Sequence, residues 1–177
     1  MAPRCHKGAA VASACAAMRS MLLGSVTEGG LTMEFSNAIT IERPRHDVFE
    51  FVSDLENVPK WNYAIVETRK TSDGPVRVGT TYRQVRSLPS RSEETLQVTE
   101  LEPDRRFVVH GGLGPFEGTL TYEFEDVGEG TRLTNKADLE ARGIKRLAAP
   151  IVSGRVRDAV AANLGTLKQL LEGKGTR

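Results

Sequence analysis

His110 closes a run of β-branched and aromatic residues just ahead of a glycine loop, in "RFVVHGGLGP". An imidazole titrates near neutral pH, so a histidine there suits general acid/base work or anchoring a ligand by a hydrogen bond. The equal alternative is a strand-end histidine on the wet side of a sheet. Tyr82 and Arg83 stand together in "TTYRQVRS", and Tyr122 in "LTYEFE". Each tyrosine either offers its hydroxyl to a ligand or fills the core with its tip toward water. Arg83 and Arg86 differ by an odd number of positions, so a regular strand sends one of them inward. At the mouth of a cavity, an inward guanidinium suits a ligand carboxylate. Asn135 shares parity with Leu133 and Ala137, which predicts a buried amide that needs a partner, backbone or ligand. His110, Tyr82 and Arg83 are therefore the candidate catalytic residues, with acid/base assistance as their chemistry.

Other reactive patterns are missing from the sequence. No "GxSxG" elbow marks a nucleophile, and neither "HExxH" nor "CxxC" spacing marks a metal. Cys5 and Cys15 both precede the organised chain, so its body holds no disulfide framework, which fits a reducing cytoplasm. The loop "GGLGPFEG" lacks both "GxGxxG" and the lysine of a P-loop. His46 falls in a first helical turn beside Arg45 and Asp47 and reads as a solvated residue. No metal or cofactor is expected.

The elements that must carry these residues follow from periodicity. Across 177 residues, 24 basic and 23 acidic side chains leave a net charge of +1. The basic groups form no stripe, so nucleic acid is not an expected partner, and no run is long and apolar enough for stable insertion into a membrane. Residues 1–32, rich in Ala, Gly and Ser, read as a disordered extension or as a stretch ahead of the true start at Met33. Residues 33–177 read as one ligand-binding domain. Glu34 to Glu42 alternates as a strand. Pro44 and Asp47 suit the start of a helix whose apolar face holds Val48, Phe51, Val52 and Leu55. A second short helical turn leads to Trp61, the only tryptophan. Strands are expected over 64–71, 80–87, 93–101, 105–110, 116–127 and 131–140, with "GGLGP" as a loop. Gly118, Leu120, Tyr122 and Phe124 share one face. Short turns between neighbours imply an antiparallel sheet with one wet side. Val156, Val160, Leu164, Leu167 and Leu171 form the stripe of a long C-terminal helix, the one cover large enough for the apolar face of the sheet.

The order strand, two short helices, curved antiparallel sheet of about six further strands, long C-terminal helix resembles the START-like or SRPBCC superfamily, with its α+β helix-grip fold. The resemblance is carried by "ITIERPRHDVFEFVSDLENVPKW", "VGTTYRQV", "LTYEFEDVGEGTRLT" and "NLGTLKQLLE", and is nearest to the polyketide cyclase/dehydrase and lipid-transport branch. It implies an apolar cavity between sheet and helix, and framework roles for Asp54 and Trp61. The expected ligand-binding residues are Trp61, Tyr82, His110, Leu120, Tyr122, Asn135 and Leu164. Three functions follow: carriage of a hydrophobic small molecule such as a lipid, polyketide or quinone; aromatase/cyclase or dehydratase chemistry in the same cavity; or partner binding without catalysis. Monomer and homodimer are both compatible with the sequence.

Overall fold

The computed structural model describes residues 31–141 and 149–173. The reading of the first 32 residues therefore falls, up to residue 30, outside the described residues. Seven strands form one antiparallel sheet: β1 (Leu31–Ile41), β2 (Ile65–Lys70), β3 (Thr81–Arg86), β4 (Ser92–Glu102), β5 (Arg106–Leu113), β6 (Phe116–Val127) and β7 (Gly130–Ala141). Their spatial order is β1-β7-β6-β5-β4-β3-β2. β2 to β7 are a meander, each strand paired with its chain neighbour. β1 is the exception, pairing with β7 along its whole length from Leu31↔Ala141 to Ile41↔Thr131. Helix α1 (Arg45–Ser53), a 3₁₀ turn (Leu55–Lys60) and the long helix α2 (Ala149–Leu171) complete the α+β helix-grip architecture.

Alternation decides which side of the sheet is dry. Tyr82, Leu96, Val98, Phe107, Val109, Tyr122, Phe124 and Leu133 are buried on one side, and Leu164 and Leu167 of α2 close over them. The α2 stripe is that expected from a repeat of three and four. α1 buries Val48, Phe49 and Val52, with Phe49 set edge-on to Phe124 at 5.3 Å between ring centroids. Phe49 thus takes the central place the spacing assigns to Phe51. The buried face is centred between Val48 and Val52, which leaves Phe51 half-buried at its margin with the Lys60 ammonium 5.7 Å from its ring.

Strand β5 runs on to Leu113, so most of "GGLGP" is strand and only Gly114 and Pro115 make the turn. The glycines permit this. Gly111 and Gly118 are paired across β5 and β6. At Gly111 (φ +151°) an added Cβ would lie 2.1 Å from the Thr95 carbonyl oxygen, and at Gly118 2.1 Å from that of Asp138. The sheet bends where only hydrogen occupies those places. Pairing register also shifts between Val98 and Glu100 on β4. Every strand expected from the alternation is present; the glycines read as loop because their composition suits a loop and a bent strand equally.

Candidate functional site

The bent sheet and α2 enclose a cavity of about 440 Å³. Its apolar walls include Phe35 from β1, Leu55 and Val58 from the 3₁₀ turn, Leu120 from β6 and Val160 from α2. Tyr63 and Leu88, both exposed, line it as well.

Trp61 is placed by the turn before it. The Asp54 side chain accepts a hydrogen bond from the Glu56 backbone N–H and starts the 3₁₀ turn, and the Trp61 N–H donates to Val58 O at its end. The indole is buried and lines the cavity. It thus serves at once as a plug joining the turn to β2 and as a wall of the hollow.

Of the residues expected to bind a ligand, Trp61, Leu120 and Tyr122 line the cavity. Tyr122 is buried against Phe107, with ring centroids 6.1 Å apart, and burial holds its phenol well above the ordinary tyrosine range. Tyr82 is also inside but lies beyond the cavity wall, in the core. Its pKa is pushed up to about 12, first by burial and then by the carboxylates of Asp54 and Glu56. The Leu55 backbone opposes that shift weakly, yet the hydroxyl makes no hydrogen bond of regular geometry. Tyr82→Phe is accordingly expected to leave stability unchanged or raise it by up to about 1 kcal/mol, measured as the urea midpoint, because no good hydrogen bond is lost. Leu164 and Asn135 sit in the core beside the cavity, not in its lining. The Asn135 side-chain oxygen has no partner among the described residues.

His110 and Arg83 lie away from the cavity. His110 is on the outer face, its side chain 47% exposed, with Nδ1 3.1 Å from Thr119 Oγ1 and Nε2 3.7 Å from Glu117. Arg83 is exposed and forms a two-pronged pair with Glu93 at 2.6 and 2.8 Å. Neither reaches the cavity. The cause is alternation: β3 turns Tyr82, Gln84 and Arg86 inward, and so must turn Arg83 outward.

The inward arginine is Arg86, and it belongs to a polar cluster absent from the sequence reading. Glu94, from β4, is buried and its carboxylate collects five donors. Oε1 accepts from Arg86 Nε at 2.6 Å, Ser92 Oγ at 3.0 Å and the Gly114 N–H at 2.7 Å. Oε2 accepts from Gln84 Nε2 at 2.8 Å and Arg86 Nη2 at 3.3 Å. Thr68 Oγ1 in turn donates to Gln84 Oε1 at 3.4 Å. Gln84 and Arg86 line the cavity. Asn163 is a further polar lining residue, buried and carried on the inner stripe of α2. Parity with Leu96 and Val98 is the available signal for Glu94, and spacing by seven from Val156 the signal for Asn163.

The whole arrangement matches a known family. Residues 32–172 fit the model for "Polyketide cyclase / dehydrase and lipid transport". The chain belongs to that family. Solved structures agree on the START-like fold of this polyketide cyclase/dehydrase and lipid-transport member. A protein from Thermus thermophilus superposes with TM-score 0.65 at 20% identity, over 81% of this chain and 100% of its own. A START superfamily protein from Mycobacterium smegmatis gives 0.62 at 16%, over 80% and 95%. The di-domain ARO/CYC StfQ from the steffimycin biosynthetic pathway gives 0.66 at 15%, over 81% of this chain and 51% of its own. At these identities the likeness is one of fold. No curated protein matches the sequence. Among the described residues, no helix of this family member is long and apolar enough to cross a membrane, and no cluster of His, Cys, Asp or Glu is arranged to hold a metal.

Proposed function

We propose that this protein binds and carries a hydrophobic small molecule of the lipid, polyketide or quinone kind in the cavity between sheet and α2. The observation that carries this reading is a hollow of about 440 Å³, walled mostly by apolar side chains, in a chain whose family includes lipid transport. Among the described residues, the ionisable ones lining the cavity are Tyr63, Arg86, Tyr122 and Arg155. Of these, Tyr122 is held protonated and Arg86 is engaged by Glu94, which supports carriage over acid/base catalysis at neutral pH.

Thermal denaturation with a panel of lipids, quinones and aromatic ketones tests the proposal. A ligand at about one hundred times its Kd adds ~2.7 kcal/mol, which raises Tm by several degrees in a domain of this size. Ala159→Trp, which places an indole in the cavity from α2, is expected to abolish the shift while the protein stays folded. A panel in which no member shifts the unmodified protein would refute carriage.

A further inference from the structure

We propose that the Arg86–Glu94 pair is a subsite for an uncharged oxygen, a ketone or quinone carbonyl on an otherwise apolar ligand, and that it disfavours carboxylates. The proposal rests on the cavity being a ligand site and specifies the chemistry of that ligand.

An arginine in an apolar cavity ordinarily reads as an anion receptor. Here the anion is already built in. Arg86 spends Nε and Nη2 on Glu94, whose side chain is 3% exposed, and is itself 14% exposed. The pair is net neutral and fixed from behind by Gln84, Ser92 and the Gly114 N–H. Glu94 is outside the cavity lining, whereas Arg86 and Gln84 are part of it. Nη1 of Arg86 makes no hydrogen bond among the described residues, so it keeps N–H donors for a guest. A ligand carboxylate would have to give up its water and approach a guanidinium whose charge is already neutralised by a neighbouring carboxylate. A carbonyl oxygen loses far less on leaving water and needs only an N–H. Gly114 (φ +74°) holds the β5–β6 turn against this cluster; a Cβ there would come within 3.3 Å of Arg86 Nε, so the backbone closes over the guanidinium.

Three tricyclic probes of one shape separate the possibilities: fluorene, 9-fluorenone and fluorene-9-carboxylate. Binding is read as quenching of Trp61, the sole tryptophan and a wall of the cavity. The expected order is fluorenone tightest, then fluorene, with the carboxylate about tenfold or more weaker than the ketone. Glu94→Gln removes the built-in anion and is expected to tighten the carboxylate by about tenfold or more while changing fluorene little. The subsite is overturned if fluorene equals or exceeds fluorenone, or if the carboxylate binds the unmodified protein as tightly as the ketone. Either result with fluorene bound leaves the cavity reading standing. Failure of all three probes to bind removes the cavity reading, and the subsite with it. The order of the three probes on the unmodified protein decides the matter even where Glu94→Gln does not fold.

Discussion

Gly118→Ala is expected to lower the unfolding free energy by about 3 kcal/mol or more, read as a drop in the urea midpoint at unchanged slope. The new methyl would sit 2.1 Å from the Asp138 carbonyl oxygen and 2.9 Å from Leu139 Cα. Both neighbours are backbone, in a strand paired on both sides by β1 and β6. Backbone held in two ladders does not yield as a side-chain tip does, so the clash is relieved only by opening the β6–β7 ladder or flattening the bend. Typical domains hold about 5–15 kcal/mol in all, so the loss is a large share. Gly154→Ala supplies the contrast. That glycine is exposed in α2 with nothing within 4 Å of an added Cβ, and the same change there is expected to raise stability by about 1 kcal/mol. Equal losses at the two sites would show that the close approach at Gly118 is not what holds the sheet bent.

Arg86→Met is expected to cost about 3–5 kcal/mol, the usual consequence of leaving one member of a buried ion pair without its partner. The Glu94 carboxylate would keep donors from Gln84, Ser92 and Gly114 but lose both guanidinium contacts and its counter-charge. Arg86→Met combined with Glu94→Leu is expected to recover much of that loss, since the remaining need is only to fill space with apolar atoms. A urea double-mutant cycle measures it. A double variant no more stable than Arg86→Met would mean that Arg86 acts through its packing alone. The exposed pair of Arg83 with Glu93, at a similar distance, is the internal comparison: both side chains are solvated, and its loss is expected to cost far less than loss of the buried pair.

These two pairs also show how much is legible in the sequence. The alternation that places Leu120, Tyr122 and Phe124 on one face of β6 is strong enough to fix the dry side of the sheet. The same rule forbids Tyr82 and Arg83 from sharing a face, because they are adjacent, yet their chemistry makes both attractive. Arg86 obeys the rule as the inward member of the Arg83/Arg86 alternative, while Glu94 obeys it and escapes notice because charged residues are expected outside. Their burial depends on a partner from another strand, set by the register Arg86↔Ser92 and Gln84↔Glu94, which no local window contains. His110 is a matter of one position: Val109 is buried and lines the cavity, and its neighbour faces water. The helix-grip order is legible because it rests on lengths and periods; the cavity volume is not, because it depends on the closeness of α2 to a sheet bent at two glycines.

The pairing of β1 with β7 sets a timetable for the growing chain. About 90 positions separate Ile41 from its partner Thr131. At synthesis rates of about 5–20 residues per second, the first strand emerges about 5–20 seconds before the strand it must join. The meander from β2 to β6 can zip up by short hairpins during that interval, while β1 waits as a loose tether with α1 behind it. Completion of the sheet therefore waits until β7 has been made, with α2 still to follow as its cover.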